Sequence, residues 1–518
     1  MKIVAIADLH YREEPVPGAG DGHLADLLLE RAVHRINRMI RPDIVVLLGD
    51  LLDDGAGPAA PALRRRLADI VETIVAPTLA LPGNHDGDPE LFYREFPRPP
   101  DNWLDIAGVR LLTFLDAEAP GWCAQRSAAD LERMAAARAG FSGPVVALQH
   151  TSLFPAGRHE CPYNLVNGAA VIRRMRDAGI GLSVSGHYHA GIEPIRTDTA
   201  AFVGAPALCE TPFAFLEIEV EGERVAVKRH VLRMDPNLAL VDTHTHTPFA
   251  YCSSNMDLQR SVSLARLFGL EQVAFTEHSG HLYFGKKDYW SFRCLDLGLD
   301  AIRPENDRMA VYLAQARAAN PGAPLGLEAD CDRAGRPLVR ARDRAQVDYL
   351  VGAMHFLPAL RENPGNQEMA ADQFMAMLSN FAASGIAVLA HPFRVFRRAG
   401  VPVPESLLAP TVALLKNNGV AAEINFHVNE PDPAFFASCM EAGVRVSFAS
   451  DAHALWEVGE FGLHLSFLAA CGWSGDPAPV LWRPPKKQIK QASLPAASRA
   501  IAGACAAIDT GVHHEQQD

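Results

Sequence analysis

The chain has 518 residues, enough for two to four domains at about 150 residues each. Its 48% hydrophobic and 21% charged residues are typical of a folded globular protein, which excludes a disulfide-stapled mini-protein and a chain disordered over most of its length. The formal net charge of -13 argues against a surface that holds long nucleic acid through its phosphates. Small anionic molecules remain compatible with this charge if bound cations reverse the local field.

The 9 cysteines lie far apart and include no C-x-x-C pair. Such a count fits reduced thiols in a cytoplasm better than a disulfide framework. Apolar runs stay short of the roughly 20 residues that span a bilayer, and residues 1–10 lack a basic region followed by a long apolar stretch. We therefore expect a cytoplasmic protein without a membrane partner.

In the first 190 residues, short β-branched runs alternate with longer amphipathic stretches. The pattern predicts strands at residues 3–7, 44–48, 78–81, 145–148 and 182–185, and helices near 23–40, 61–76, 128–139 and 169–178. Three more strands are predicted at 201–203, 213–220 and 224–231. Residues 1–232 are thus expected to form an α/β domain.

A second alternation follows the short bridge 233–237. Strands are predicted at residues 239–241, 272–276, 325–329, 349–353, 387–390, 421–425 and 445–449. Seven βα units over residues 239–472 indicate a barrel-like or doubly wound parallel domain. Residues 473–518 are rich in Pro, Ala, Lys and Gln, and we expect a disordered tail there with one helix around 497–508.

Polar clusters follow five predicted strands of the first domain. They are Asp8-Leu9-His10, Gly49-Asp50-Leu51-Leu52-Asp53, Gly83-Asn84-His85-Asp86, His150, and Gly186-His187-Tyr188-His189. Because the carboxyl ends of strands in an open α/β sheet share one crevice, these clusters are expected to converge. Their carboxylate, amide and imidazole groups suit Mn, Fe or Zn, and Asp50 could bridge two ions. The clusters therefore predict a centre that activates water for displacement at phosphorus.

This series resembles the motif set of the calcineurin-like metallophosphoesterases over about residues 1–232: D-x-H, G-D-x-x-D, G-N-H-D, H and G-H-x-H. The resemblance implies an α/β sandwich with two metal ions. One ion would be held by Asp8, His10, Asp50 and His189, and the other by Asp50, Asn84, His150 and His187. It also implies that His85 protonates the leaving oxygen or stabilises phosphoryl charge, that Asp86 orients His85, and that Asp53 supports the ligands.

The second domain has its own set of polar strand ends. They are Asp242-Thr243-His244-Thr245-His246, Thr276-Glu277-His278, Glu328, His355, His391 and Asp451-Ala452-His453. So many imidazoles with carboxylates predict a cluster of two or three divalent ions.

These residues, with Gly352-Ala353-Met354-His355-Phe356, Ala390-His391-Pro392 and Glu423-Ile424-Asn425, resemble the PHP (polymerase and histidinol phosphatase) family over about residues 239–472. The resemblance is greatest to its histidinol-phosphatase-like branch, and it implies a distorted (β/α)7 barrel that holds Zn, Mn or Fe. One ion would be bound by His244, His246, Glu328 and Asp451, a second by Glu328, His355 and His391, and a third by His278 and His453.

The chain departs from the family pattern at Cys252, where a further His is usual. Either the Cys252 thiolate binds a metal ion, or the third site is weak or empty. Among the arginines that could hold a substrate phosphate, Arg293, Arg394, Arg397 and Arg398, we favour Arg394, because it lies three residues after His391.

The function expected from these observations is a bifunctional metal-dependent phosphoesterase that hydrolyses phosphodiester or phosphomonoester bonds of a small, nucleotide-like substrate. One alternative is a metal-dependent nuclease, although the sequence shows no basic track leading to either centre. The other alternative is a single active domain, with the second domain serving as a regulatory scaffold.

Overall fold

In the computed structural model, which describes residues 1–363 and 365–485, the N-terminal apolar runs form two sheets that pack face to face. The strands of the first sheet are β1 (Lys2–Ile6), β2 (Ile44–Leu47), β3 (Thr78–Ala80), β12 (Ala214–Glu221) and β13 (Arg224–Val231). The strands of the second are β4 (Leu104–Ile106), β5 (Val109–Phe114), β8 (Val145–Gln149), β9 (Leu182–Ser185), β10 (Ile192–Arg196) and β11 (Ala201–Gly204). A separate hairpin contains β6 (Ala117–Ala119) and β7 (Cys123–Gln125).

The first sheet has the order β13-β12-β1-β2-β3 and the second β10-β11-β9-β8-β5-β4. Alternate side chains of β1 explain the layering, because Ile3 and Ala5 face the core between the sheets while Val4 and Ile6 face the helices outside. The helices of this half are α1 (Ala25–Arg35), α2 (Ala60–Val71), α3 (Pro89–Phe92), α4 (Ala128–Ala136) and α5 (Gly168–Ala178). The predicted α/β sandwich is confirmed.

The second half of the described chain forms a parallel sheet whose strands follow one another in sequence order. They are β14 (Val241–Thr245), β15 (Gln272–His278), β16 (Gly326–Asp330), β17 (Tyr349–Ala353), β18 (Val388–Leu389), β19 (Ala421–Ile424) and β20 (Val446–Phe448). Thr245 pairs in parallel with Ala452, and the amide of His246 donates to the carbonyl of Ala452 at 3.1 Å. This contact brings the two ends of the sheet together, so the predicted distorted barrel is confirmed.

Helices cover the outside of the barrel. They are α6 (Leu258–Leu267), α7 (Ser279–Tyr283), α8 (Lys286–Trp290), α9 (Cys294–Leu297), α10 (Met309–Ala319), α11 (Ala341–Arg344), α12 (Pro358–Glu362), α13 (Gln367–Ala383), α14 (Arg394–Arg398), α15 (Leu408–Asn418), α16 (Pro433–Glu441) and α17 (Gly462–Ala470). No helix among the described residues combines the length and the apolar character needed to cross a membrane.

The two halves share a buried interface between α1 and residues 455–460 of the barrel. The Arg31 guanidinium, fully buried, donates to the carbonyls of Trp456 at 2.7 Å and Val458 at 2.8 Å. Arg35 contacts both carboxylate oxygens of Glu460, at 2.6 and 3.0 Å. A single cluster of apolar side chains extends from α1 and α2 into the barrel domain, so the two halves pack as one body.

The end of the described chain differs from the expectation of a tail that is disordered from residue 473. Leu481 pairs with Val446 of β20, and the Trp482 amide donates to the Val446 carbonyl at 2.7 Å. Arg483 forms an ion pair with Glu271 at 2.7 Å. These residues pack because β20, at the end of the sheet order, offers backbone groups to them, and because Leu481 and Trp482 supply apolar side chains. The rest of the predicted tail, including the helix at 497–508, lies outside the described residues.

Candidate metal centres

The first centre lies where β1, β2, β3, β8 and β9 end. At these ends the backbone turns sharply, because Asp8, His10, Asp50 and His187 all have positive φ, between 44° and 70°. Residues other than glycine seldom adopt this conformation, and each instance costs about 1–3 kcal/mol. These turns lie in three segments and point their side chains into one crevice, which Asn84 and His150 also reach from the ends of β3 and β8.

The first group of side chains contains Asp8, His10 and His189, whose ligand atoms lie within 4.8 Å of one another. His10 Nε2 is 3.1 Å from His189 Nε2, and His189 Nε2 is 3.9 Å from Asp8 Oδ1. Asp50 Oδ2 is 3.7 Å from His10 Nε2. The set expected around one ion is therefore assembled in the structure.

The second group contains Asp50, Asn84, His150 and His187. His150 Nε2 is 3.3 Å from Asp50 Oδ2, 3.1 Å from Asn84 Oδ1 and 3.1 Å from His187 Nδ1. Since Asp50 Oδ2 faces both groups, its carboxylate is placed to bridge two ions.

Residues around these groups fix the orientation of the imidazoles. His150 Nδ1 donates to the Leu48 carbonyl at 2.7 Å, and His187 Nε2 donates to the Trp122 carbonyl at 2.8 Å. His189 Nδ1 contacts Glu210 Oε1 at 2.7 Å. Each hydrogen bond leaves the opposite ring nitrogen with its lone pair towards the crevice, as a metal ligand requires.

His85 and Asp86 occupy different parts of the G-N-H-D turn. His85 Nδ1 contacts the Asp53 carbonyl at 2.8 Å, and its ring lies edge to face with His10 at 4.8 Å. Asp86, fully buried, accepts instead from the amides of Leu52 at 2.9 Å and Gly83 at 2.8 Å. The expectation that Asp86 orients the His85 ring therefore has no contact to support it, and Asp86 holds the turn backbone.

The charges of the first centre require cations. Burial raises the pKa of Asp8 to about 7, with the neighbouring Asp50 adding to the shift. Burial also opposes the charge of His150, but Asp50 outweighs it and raises the pKa of His150 to about 10. A divalent ion would remove both conflicts by neutralising the carboxylates and replacing the proton on the imidazole. The donor set thus fits divalent metal ions.

In the second centre Glu328, on β16, lies in the middle of the ligand-type residues. Its Oε1 is 3.0 Å from His391 Nε2 and 3.3 Å from His355 Nε2. The same oxygen is 3.7 Å from His244 Nε2, and Oε2 is 3.7 Å from His246 Nε2. Glu328 is fully buried, and its carboxylate oxygens face histidines of both sets. It therefore joins the two sets expected to hold the first and second ions.

Asp451 completes the first of these sets, with Oδ1 2.8 Å from His246 Nε2 and 3.6 Å from His244 Nε2. Three buried ligand atoms of the described residues, His244 Nε2, His278 Nδ1 and Glu328 Oε2, make no hydrogen bond of normal geometry, and the last two are in direct contact with each other. An unsatisfied buried polar atom is costly, and three that meet in one place are explained by divalent ions. These residues therefore fit the metals that the sequence predicts.

The third position brings Cys252 to His278. Cys252 Sγ is 3.6 Å from His278 Nε2, and ligand atoms of Cys252, His278 and His281 lie within 4.8 Å of one another. His246, His278 and His453 form a second group of this kind. His281, which the sequence analysis does not assign to a metal ion, is buried, with Nδ1 accepting from the Tyr251 amide at 3.1 Å.

Four acidic residues that the sequence did not assign surround the second centre. Glu423 contacts His244 Nδ1 at 2.9 Å, Glu277 contacts His246 Nδ1 at 3.2 Å, and Asp330 contacts His355 Nδ1 at 2.7 Å. Glu457 accepts from the His453 amide at 2.7 Å. Glu277 and Glu423 stand inside the quoted motifs, so the sequence signal for them was their place in a motif beside predicted ligands.

Arg394, buried on α14, lies at the inner wall of a cavity of about 390 Å³ above the second centre. It forms an ion pair with Asp451 Oδ2 at 2.7 Å and contacts His355 Nε2 at 3.3 Å. Arg398 lines the same cavity, whereas Arg293 pairs with Asp288 and Arg397 contacts Asn429. A guanidinium at this place could accept a phosphate group.

Comparison with known proteins agrees with the two centres. Residues 1–191 match the model of the calcineurin-like phosphoesterases, and residues 242–427 match that of the PHP domain. The cAMP/cGMP dual specificity phosphodiesterase of Mycobacterium tuberculosis is 30% identical over 204 residues, which cover 35% of this chain and 58% of that protein. The chain thus spans little more than half the length of this relative.

Two solved structures also resemble parts of the chain. A dimetal phosphatase from Danio rerio has 16% identity and a TM-score of 0.34, over 44% of this chain and 96% of the other. A Listeria monocytogenes protein described as a histidinol phosphatase has 16% identity and a TM-score of 0.31, over 43% of this chain and 99% of the other.

Proposed function

The chain joins a calcineurin-like phosphoesterase domain to a PHP domain, two families of metal-dependent phosphoesterases, and from this premise we propose that it hydrolyses phosphate esters at two separate metal centres. The first centre would act on a phosphodiester and the second on a phosphomonoester. The observation that supports this division most strongly is that each domain gathers its own complete set of ligand-type side chains, around Asp50 in one and Glu328 in the other.

We infer that the substrate is a small nucleotide-like molecule. The relative from Mycobacterium tuberculosis is named a cAMP/cGMP phosphodiesterase, and its similarity covers a share of the chain about the size of the first domain. The net charge of -13 supports a small substrate, since a long nucleic acid would be repelled away from the centres. Cavities of about 470 and 390 Å³ beside the two centres are of the size that small ligands occupy.

Divalent ions, when bound, would lower the pKa of a coordinated water and offset the charge of the phosphoryl oxygens. The side chains of the first domain would position the substrate for attack in line with the leaving oxygen. His85 is half-buried at the crevice, beside His10, where it could donate a proton to that oxygen. In the second domain Arg394 would hold the terminal phosphate, with Asp451 and His355 on either side of its guanidinium.

The test uses two chromogenic esters, bis(p-nitrophenyl) phosphate and p-nitrophenyl phosphate, on wild type, Asp50→Ala and His355→Ala, with metal content measured on each. We expect Asp50→Ala to lose diesterase activity by about 100-fold or more and to keep monoesterase activity, and His355→Ala to show the reverse. Four or five bound metal ions are expected in wild type, following the two and the two or three ions assigned to the centres.

The control is Glu405→Gln, an exposed residue of the second domain outside both centres, which should keep both activities. Loss of both activities in Asp50→Ala would contradict the division of labour. If His355→Ala changed neither activity while metal content fell, the second domain would be a scaffold for the first.

A further inference from the structure

A cavity of about 470 Å³ opens beside the first centre, and neither the ligand groups nor His85 fill it. Its inner wall includes Asn84 and His150, two of the residues assigned to a metal ion. The opposite wall is the β6–β7 hairpin with the residues that lead into it. A group attached to a phosphate in the centre could therefore extend directly into this cavity.

The wall away from the ligands combines apolar side chains with one exposed carboxylate, that of Glu118. Trp122 is 63% exposed and Leu115 is 49% exposed, and the same cavity is lined by Pro82, after β3, and by Pro89, the first residue of α3. Single exposed apolar side chains are common, but two that line one cavity beside a polar crevice form a patch of the kind found in ligand-binding grooves. The polar group Asp116 does not disturb this wall, since its carboxylate is buried in an ion pair with Arg126 at 2.8 Å.

The backbone of Trp122 is held in a strained conformation that presents the indole to the cavity. Its φ is 59°, which is a rare value for an aromatic residue. The Trp122 carbonyl accepts from His187 Nε2 at 2.8 Å, so the hairpin is attached to a residue of the metal centre. The indole lies nearly parallel to the His85 ring, at 15° and 6.2 Å between centroids.

We propose that Trp122 is the stacking platform of a nucleobase subsite, in which the base of a nucleoside phosphodiester lies on the indole while its phosphate occupies the metal centre. This inference rests on the proposed diesterase function and specifies its substrate as a nucleoside ester. An indole offers a rigid face that any base can stack on, so the subsite distinguishes nucleosides from simple alkyl esters rather than one base from another.

The test measures binding and turnover separately. Isothermal titration calorimetry of the manganese-loaded full chain gives Kd values for adenosine 5′-monophosphate and for ribose 5-phosphate, which differ by the base. Each sample, wild type included, is also titrated as its His355→Ala derivative, in which the second centre should no longer turn over these monoesters. In wild type we expect the nucleotide to bind about 5-fold to 100-fold more tightly, because stacking of one base on an aromatic side chain contributes this much. Trp122→Ala should bring the ratio of the two Kd values close to one, and Trp122→Phe should keep most of it.

Trp473→Ala provides the matched control, because this half-buried tryptophan lies in the other domain and donates to the Asp476 carbonyl. It should leave the ratio as in wild type. A ratio near one in wild type, or an unchanged ratio in Trp122→Ala, would overturn the subsite. Failure of the proposed function is seen in a separate measurement, as absence of bis(p-nitrophenyl) phosphate turnover in wild type. Even then, the ratio of the two Kd values decides whether the nucleobase subsite exists.

Discussion

Glu423 shows how one unassigned carboxylate can hold a metal centre together. It is fully buried, and its Oε2 contacts His244 Nδ1 at 2.9 Å. Its Oε1 accepts from the His391 amide at 3.2 Å and from Asn425 Nδ2 at 2.7 Å. Glu423 therefore orients two histidines that the sequence analysis assigns to different ions.

We expect Glu423→Gln to weaken metal retention in the second domain by about 10-fold to 100-fold, because the amide holds His244 less firmly than a carboxylate does. The measurement is metal content after dialysis against a graded series of chelator concentrations. Glu405→Gln, exposed on the same domain, is the control. Equal retention in Glu423→Gln and wild type would show that His244 needs no such support.

At the residue scale, the sequence identifies ligands better than their supports. Asp8, Asp50 and His391 stand in motifs whose residue types have few other uses at strand ends. Glu210 and Trp122 were not found, because each lies far along the chain from the motif it supports and carries no spacing signal. Their roles depend on tertiary packing, which a single sequence does not display.

At the scale of elements, helix α1 of the first domain organises a loop of the second. Glu460 lies between Arg31 and Arg35, with its Oε2 3.1 Å from Arg31 Nη2. The Gly459 amide of the same loop donates to Asp242 Oδ2 at 2.9 Å, and Asp242 is the first residue of the D-T-H-T-H motif. The interface thus reaches the second metal centre through the backbone of one short loop.

We expect Glu460→Gln to lower the free energy of unfolding at pH 7 by about 3 kcal/mol, because two buried guanidinium groups lose their counter-charge. Urea denaturation followed by circular dichroism measures this loss. The matched control is Glu430→Gln, which breaks the ion pair of Arg38 with a 69% exposed glutamate at the edge of the same interface. That change should cost less than about 1 kcal/mol, and equal losses in the two variants would contradict the assignment.

The same carboxylate predicts an acid-side loss of stability. Burial raises the pKa of Glu460, but Arg35 and Arg31 outweigh it and lower the pKa to about 2 from the ordinary value of 4.5. Because the folded state binds the proton less well than the unfolded state, the contribution is complete above about pH 5 and is lost as the pH falls towards 2.

The stability difference between wild type and Glu460→Gln should therefore shrink by about 2 kcal/mol between pH 7 and pH 3. Urea titrations at half-unit pH intervals provide the comparison. A difference that stays constant over this range would mean that Glu460 is already protonated in the folded protein or that its charge does not stabilise the interface.

At the scale of the whole molecule, the two centres concentrate buried carboxylates and imidazoles whose charges bound cations would balance. Chelation should therefore lower the melting temperature by several degrees, because ions bound to the folded state alone stabilise it by mass action. Differential scanning calorimetry before and after chelation measures the shift. Resupply of Mn, Fe or Zn to the same sample is the control and should restore the original transition, whereas an unchanged melting temperature on chelation would argue against ligand-bound ions in the native protein.

The sequence predicts the architecture well where hydrophobic periodicity is regular. Residues 182–185, 224–231 and 349–353 form strands with the predicted bounds, and the βα alternation gives the barrel its strand order. Five strands of the first domain were missed: β4, β5, β6, β7 and β10. In β6 and β7 the strand residues Glu118 and Gln125 are exposed and polar, so these short segments show no apolar alternation. Strand β14 begins later than predicted, at Val241, because the polar D-T-H-T residues are buried within it and conceal its apolar pattern.

Residues with a left-handed backbone conformation at the strand ends limit which substitutions this protein can accept. Asp8, Asp50, His391 and Asp451 all occupy positive φ, where glycine would relieve the backbone. Glycine at these positions would relieve backbone strain but would also remove ligand-type side chains and, at Asp451, the buried ion pair with Arg394. We therefore expect a related chain whose second domain has lost its metal ions to carry glycine more often at the position of His391 than a chain that keeps them.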